Sequence, residues 1–128
     1  MIVAGIGSRK GASERDVLEA INAALATQHL DLAALSALAT GGVKRAEKAI
    51  SDAAQRLGLP LHIVEDGALQ STADRCLTVS ERSLAWSGSP SLSEAAALAT
   101  AGDGARLLGA RLVHGSVTCA LAQSGAQP

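Results

Sequence analysis

The 128-residue sequence contains no phenylalanine and no tyrosine, and Trp86 is its one large aromatic side chain. Proteins that bind single-stranded nucleic acid stack bases on aromatic faces, so this scarcity argues against that class of function. Lysine plus arginine number 11 against 12 aspartate plus glutamate, and the net charge of -1 creates no field that would gather a nucleic acid or an anionic membrane. Any binding of anions must therefore be local.

Long apolar runs and clustered cysteines are also lacking. No apolar stretch reaches membrane-spanning length, and no basic region precedes the short apolar run at the amino terminus, so we expect a cytoplasmic protein with no membrane contact. Cys76 and Cys119 belong to no cysteine or histidine cluster with metal-ligand spacing. We therefore expect no metal and no other cofactor, and we interpret both thiols as small buried apolar groups.

Apolar periodicity predicts one α/β domain spanning residues 1–128. Short apolar runs typical of buried strands alternate with amphipathic helical patterns, and these runs fall at residues 2–6, 35–39 and 61–64. Their order requires crossover connections, which indicate parallel strands with helices on the faces of the sheet. Ser13 and Asp16 match a capping box at the start of the first helix.

The second half of the chain is harder to assign. Residues 65–75 predict a short helix with a turn, residues 77–91 a loop in which 77–79 is an alternative strand, and residues 93–101 an alanine-rich helix. Two or three further strands then end in an antiparallel edge hairpin. The expected architecture is a three-layer α/β/α single domain with a mixed, mostly parallel sheet, a C-terminal antiparallel hairpin and a frayed tail at residues 124–128.

A cationic glycine loop follows the first predicted strand and consists of Gly7, Ser8, Arg9, Lys10 and Gly11. It lies between the carboxyl end of a strand and the amino end of a helix, where unpaired backbone N–H groups favour anions. The glycine spacing keeps the register of neither a dinucleotide fingerprint nor a P-loop, which weakens the reading as a phosphate- or nucleotide-binding module. The loop is therefore either a local anion site or a tight turn with two solvated cations.

The second strand-to-helix junction has a similar composition, with Thr40, Gly41, Lys44 and Glu47. Lys44, Glu47 and Lys48 share one helical face, which is either a solvated ion-paired surface or a cationic surface that projects over the same sheet edge as Arg9 and Lys10. The second possibility depends on parallel neighbouring strands placing their following loops side by side.

A third helix start is predicted at the segment SLSE, residues 91–94. Ser91 and Glu94 have the spacing of a capping box, with Ser93 between them. We expect this helix amino terminus to point outward with two hydroxyls and one carboxylate beside it, next to the other two loops. Trp86, in the preceding glycine- and serine-rich stretch, either fills the core or leans over a flat ligand.

Four stretches together resemble the family of cobalamin-biosynthesis proteins that includes CobE and the C-terminal domain of CbiG. They are GIGSRKG, ATGGVKRAEKAISDAAQRLGLPL, SLSEAAALATAG and VTCALAQ, and the resemblance covers residues 2–123. It implies a three-layer α/β fold and a role around precorrin intermediates of the corrin pathway. CbiG-type proteins are lactone hydrolases that release a two-carbon fragment, whereas the stand-alone protein of the aerobic pathway has a role that looks like precorrin binding. The family often has cysteine at the position of Ser8, which argues against a thiol role there. This sequence lacks the additional N-terminal domain of the hydrolase, which argues against hydrolysis.

The residues and the resemblance agree on a ligand rich in carboxylates. The sequence therefore predicts a protein that binds a polycarboxylate precorrin, with other corrin-pathway enzymes as further partners. The residues expected to line its cleft are Gly7, Ser8, Arg9, Lys10, Gly11, Thr40, Gly41, Lys44, Glu47, Ser91, Ser93, Glu94 and Thr118. The alternative is a hydrolase that acts on a precorrin lactone or acyl group, with Glu47 or Glu94 as its acid or base.

Overall fold

The structure is a computed structural model that describes residues 1–8, 11–41, 48–80, 84–85 and 91–125. Its strands are β1 (Ile2–Ser8), β2 (Leu35–Gly41), β3 (Leu61–Val64), β4 (Arg106–Leu107), β5 (Leu112–His114) and β6 (Val117–Gln123). Its longer helices are α1 (Glu14–Thr27), α2 (Lys48–Leu57), α3 (Asp66–Gln70) and α4 (Leu92–Ala101), and short 3₁₀ helices occupy Leu32–Ala34 and Ala73–Arg75. No helix in these described ranges is long and apolar enough to cross a membrane.

One mixed sheet carries all six strands, in the order β3-β2-β1-β6-β4 with β5 also pairing with β6. Strands β1, β2 and β3 are parallel, and β6 runs antiparallel to β1, β4 and β5. The mixed sheet and the C-terminal hairpin are confirmed. The predicted place of the last strand at the edge is wrong, because β6 pairs with β1 on one side, from Ile2 opposite Gln123 to Ser8 opposite Val117, and with β4 and β5 on the other.

The two faces of the sheet carry separate apolar cores, which confirms the three-layer α/β/α architecture. On one face, α1 and α2 pack against β1, β2 and β6 through buried side chains that include Ile6, Ile21 and Leu38. On the other face, α4 packs against Val3, Ala39 and other small residues of the same strands. Alternate side chains of a strand point to opposite faces, so each inner strand contributes to both cores.

Helix α4 is buried on nearly every side, which is unusual for a helix at the outside of a three-layer domain. Its residues 93–98 are all buried. The segment of residues 72–78, which we name the strap, contacts the start of this helix. The Cys76 Sγ lies 3.9 Å from the Ser91 carbonyl oxygen, and Arg75 Nη1 donates to the Ala105 carbonyl at 3.1 Å. The alanine-rich sequence of α4 suits a helix with protein on all sides.

Several local predictions differ from the structure. Residues 77–79 form no strand, so the predicted loop is confirmed there and the alternative strand is wrong. Cys119 is buried as predicted, and burial raises the pKa of its thiol to about 12. Cys76 is only half-buried, so its predicted burial is wrong. Ser124, predicted to belong to a frayed tail, is held in place, because its N–H donates to the Met1 carbonyl at 2.9 Å and its hydroxyl to the Ala101 carbonyl at 3.1 Å; residues 126–128 lie outside the described residues.

The capping box at the start of α1 is confirmed. The Ser13 N–H donates to the Asp16 carboxylate at 3.0 Å, and the Asp16 N–H donates to Ser13 Oγ at 3.1 Å. The bond from the Ser13 backbone, followed by the bond to its side chain, lowers the pKa of Asp16. The carboxylate therefore stabilises the fold above the pKa it has in the unfolded chain, and this contribution is lost as the pH falls through the lowered folded-state value.

We expect Asp16→Asn to lower the melting temperature at pH 7, because the ionised acceptor at the N-cap is lost. The difference from wild type should shrink below about pH 4, where the carboxylate of the unfolded chain is protonated. Thermal unfolding followed by circular dichroism between pH 7 and about pH 3 would measure both, since Asp ionisation falls in that range. Asp74→Asn on the exposed surface is the control, and a gap that widens toward low pH would contradict this role of Asp16.

Candidate functional site

The candidate site lies at the sheet edge where the parallel strands β1 and β2 end. The first turn of α4 lies over both strand ends, and Leu92 is its contact residue. A Cβ placed on Gly41 would lie 2.6 Å from Leu92 Cδ1, and one placed on Gly7 would lie 3.8 Å from Leu92 Cδ2. The absence of a side chain at Gly41 therefore lets α4 approach the end of β2. At Gly7, Leu92 is in ordinary van der Waals contact, and the missing side chain makes room for Thr118, whose Oγ1 would lie 2.7 Å from a Cβ there.

The structure thus brings together most of the described residues that were predicted to line one cleft. These are Gly7, Ser8, Thr40, Gly41, Ser91, Ser93 and Thr118, and we name them, together with Leu92, which was not predicted, the rim. In β6, Thr118 stands opposite Gly7 and donates from Oγ1 to the Gly7 carbonyl at 3.3 Å. Open α/β sheets commonly bind ligands outside the carboxyl ends of their strands, which is where the rim lies.

Two rim residues face the opposite side of the sheet from α4. Leu38 packs in the core beneath α1 and α2, so Thr40, two residues on, points to that same side. Thr40 is 3% exposed, and its hydroxyl donates to the Ile6 carbonyl at 2.7 Å. This bond ties the end of β2 to β1. Ser8, at the end of β1, is also buried on this side.

Four predicted site residues lie outside the described residues: Arg9, Lys10, Lys44 and Glu47. In the sequence, Arg9 and Lys10 directly follow the last residue of β1, and Lys44 comes three residues after the last residue of β2. Gly11 is described and exposed, with a φ of +92° that favours glycine at this turn. Lys48 pairs with Asp52 at 2.8 Å on the surface of α2.

The predicted capping box at the start of α4 is wrong. The Ser91 side chain makes no capping hydrogen bond, and Ser91, Ser93 and Glu94 are all 0% exposed rather than pointing outward. The Ser93 hydroxyl has no hydrogen-bond partner among the described residues. The Glu94 carboxylate does not reach back to the helix terminus because donors from two other segments bind it.

Those donors fill both oxygens of Glu94. Its Oε1 accepts the N–H groups of Leu77 and Thr78, both at 2.8 Å. Its Oε2 accepts the Thr78 hydroxyl at 2.9 Å and the Arg111 N–H at 2.8 Å. We name this arrangement the Glu94 clamp, because it joins α4 to the strap and to the segment before β5. A buried carboxylate with this many donors is well suited to holding backbone and poorly placed to exchange a proton with a ligand.

Sequence reasoning missed the residues that the Glu94 clamp holds. Leu77 and Val79 flank the anchored Thr78 and are 62% and 75% exposed, and the Arg111 side chain is half-buried. The clamp partners lie 16 and 17 residues from Glu94. No local pattern reports such contacts, and the sequence of this stretch by itself indicated only a loop, with a strand at residues 77–79 as the alternative.

A second charged cluster lies between α1 and β5. His114 Nε2 is 3.2 Å from Glu19 Oε1, and Arg15 Nε donates to Glu19 Oε2 at 3.1 Å. The bonds from His114 and then Arg15 lower the pKa of Glu19. All three side chains are accessible to solvent, so this cluster is typical of a surface ion pair.

Within the described ranges, no group of three or more His, Cys, Asp or Glu side chains is arranged to hold a metal ion.

Comparison with known proteins agrees with this fold. A family model described as Cobalamin synthesis G C-terminus matches residues 2–122. The curated Protein CobE of Sinorhizobium sp. is 30% identical over 121 residues, which are 94% of this chain and 79% of that protein. The crystal structure of CobE, a protein from the cobalamin (vitamin B12) biosynthetic pathway, superposes with a TM-score of 0.94 at 34% identity over 100% of this chain and 93% of the other.

The cobalamin biosynthesis protein chiG from Agrobacterium tumefaciens str. C58 superposes with a TM-score of 0.79 at 44% identity. That match covers 98% of this chain and 100% of the other. Together these matches span nearly every described element, including the strands and the helix start that form the rim. The chain therefore belongs to the Cobalamin synthesis G C-terminus family and is a protein of cobalamin biosynthesis.

Proposed function

We propose that the chain binds a polycarboxylate precorrin intermediate in the cytoplasm, with the ligand seated at the rim. The observation that carries the proposal is the meeting of two parallel strand ends and one helix start at a single sheet edge, with Leu92 against both Gly7 and Gly41. Such an edge presents backbone N–H groups to an anion. The relatives' place in cobalamin biosynthesis supports a tetrapyrrole as the ligand.

The cations for the ligand's acetate and propionate groups come from the sequence next to the rim. Arg9 and Lys10 follow β1, and Lys44 follows β2. The chain has a net charge of only -1, so these residues must act locally rather than through a long-range field. Binding through them is therefore expected to depend strongly on salt.

Binding is favoured over hydrolysis by the state of Glu94, one of the two predicted acid or base residues. It is 0% exposed, and four donors occupy its two oxygens. A general base must reach the proton that it abstracts, directly or through one water. An acid-base role would then rest on Glu47, which lies outside the described residues.

Co-elution with enzymatically prepared precorrin intermediates tests the proposal. We expect one intermediate to co-elute with the protein in gel filtration and to shift its absorption spectrum in proportion to protein, with no product formed. The double variant Arg9→Ala, Lys44→Ala should bind that intermediate about tenfold more weakly at low salt, because two charge-assisted contacts are lost. The difference should shrink near about 1 M salt, where exposed charges are screened.

Arg106→Ala is the matched control. This exposed cation lies on β4 opposite Gln123, whose partner in β1 is Ile2, so it is at the sheet edge remote from the rim. Its removal should leave binding unchanged. Failure of every intermediate to co-elute with wild type would overturn the proposal. Repeated release of a two-carbon fragment by the isolated chain would replace it with the hydrolase.

A further inference from the structure

Leu77 and Val79 are exposed apolar side chains on a segment that is anchored rather than loose. They are 62% and 75% exposed. Between them, Thr78 uses both its N–H and its hydroxyl to bind Glu94, and the Leu77 N–H binds the same carboxylate. Two neighbouring large apolar groups on a segment that a buried carboxylate anchors form a small apolar patch with a fixed position, which is a feature of binding surfaces.

This pair borders the rim. Thr78 is bound to Glu94 in the first turn of α4, and the Cys76 Sγ lies 3.9 Å from the Ser91 carbonyl oxygen. Leu92, next in that turn, covers the ends of β1 and β2. Leu77 and Val79 therefore lie beside the first turn of α4, which is part of the rim.

A cation stands next to the same anchor. Thr78 and Arg111 donate to the same oxygen of Glu94, so the two residues are neighbours. The Arg111 side chain is half-buried and forms no ion pair with any residue in the described part of the chain. Arg111 leads directly into β5, where Val113 stands opposite the rim residue Thr118. An apolar pair beside an available guanidinium matches a ligand that has an apolar ring and carboxylates at its edge.

We propose that Leu77 and Val79 form the wall against which the ring of the tetrapyrrole packs, with Arg111 pairing one of its carboxylates. This inference rests on the proposed function and adds a second contact region to the rim. Glu94 is then a positioning residue, since it fixes both sides of this region through the backbone without touching the ligand.

Uroporphyrin, a polycarboxylate tetrapyrrole, serves as the probe, and its absorption is titrated with the full chain. The double variant Leu77→Ser, Val79→Ser should bind it about tenfold more weakly, because apolar area is no longer covered. The loss should persist in about 1 M salt, since screening does not act on apolar contacts. Arg111→Gln should weaken binding at low salt, with the difference from wild type disappearing at high salt.

Leu32→Ser is the matched control. Leu32 is 41% exposed and lies just before β2, at the sheet edge opposite the rim, so its variant should bind uroporphyrin like wild type. Thermal unfolding of the double variant should match wild type, because the substituted side chains are exposed.

The experiment distinguishes failure of the apolar wall from failure of the proposed function. If wild type and the double variant bind uroporphyrin equally well, the apolar wall is refuted while the proposed function stands. If wild type binds neither uroporphyrin nor any precorrin, the proposed function fails and takes the wall with it. If wild type is a dimer that the double variant converts to a monomer without change in uroporphyrin affinity, the pair is an interface between copies and the wall is refuted.

Discussion

Replacing Glu94 with glutamine is expected to lower the free energy of unfolding by about 3 kcal/mol, because a fully buried acceptor of charge-assisted hydrogen bonds is lost. The amide keeps the shape of the side chain but carries only one oxygen. Its NH₂ group would face two of the donors that now bind the carboxylate. Those donors would remain buried without an acceptor.

Chemical denaturation of Glu94→Gln and of Glu65→Gln would measure this effect. Glu65 is exposed, and its side chain makes no capping bond at the start of α3, so its variant should stay within about 0.5 kcal/mol of wild type. Equal stability of the two variants would show that the clamp contributes nothing to folding. We also expect faster proteolysis within the strap of Glu94→Gln, because the strap loses its anchor.

Replacing Gly5 with alanine is expected to destabilise the fold by about 3 kcal/mol or more, because overpacking against rigid backbone forces two layers apart. A Cβ at this position would lie 1.9 Å from the Ser93 carbonyl oxygen and 2.8 Å from the Ala97 nitrogen. Neither atom belongs to a side chain that can rotate away. Helix α4 would have to move away from β1, and its first turn, which is part of the rim, would move with it.

Gly67→Ala is the control for the Gly5 substitution. No atom lies within 4 Å of the Cβ it would add in α3, so its effect should be neutral or a gain of up to about 1 kcal/mol from helix propensity. Thermal and denaturant unfolding would compare the two. A Gly5→Ala protein with the melting temperature of wild type would mean that α4 does not approach β1 as closely as described.

The substitutions Glu94→Gln and Gly5→Ala change the stability of the site without removing a contact to the ligand. Neither Gly5 nor Glu94 is placed against the ligand, so their effects on binding should follow from movement of α4 and of the strap. The exposed residues Leu77 and Val79 and the half-buried Arg111 should behave oppositely, with changed binding and little change in stability. A binding defect without a folding defect is therefore expected from these three residues, as from Arg9 and Lys44, and not from Gly5 or Glu94.

The contrast between the two serine caps explains how much of the site was predictable. At Ser13 the capping partner is three residues away, and the bond formed as the sequence indicated. At Ser91 the same spacing exists, but Glu94 binds donors 16 and 17 residues away instead. Local rules hold where solvent is the competing partner, and they fail where another segment supplies better donors to a buried group.

The amino-acid order alone determined the alternation of strands and helices, the parallel first half, the layers and the placement of glycines at the ends of β1 and β2. These features depend on periodicity and on backbone conformations that neighbouring residues dictate. Only the tertiary structure decided that β6 is an inner strand, that Glu94 is buried and that Leu77 and Val79 remain exposed beside the rim. Each of these depends on contacts between segments distant in the chain, whose free energies a local pattern does not contain.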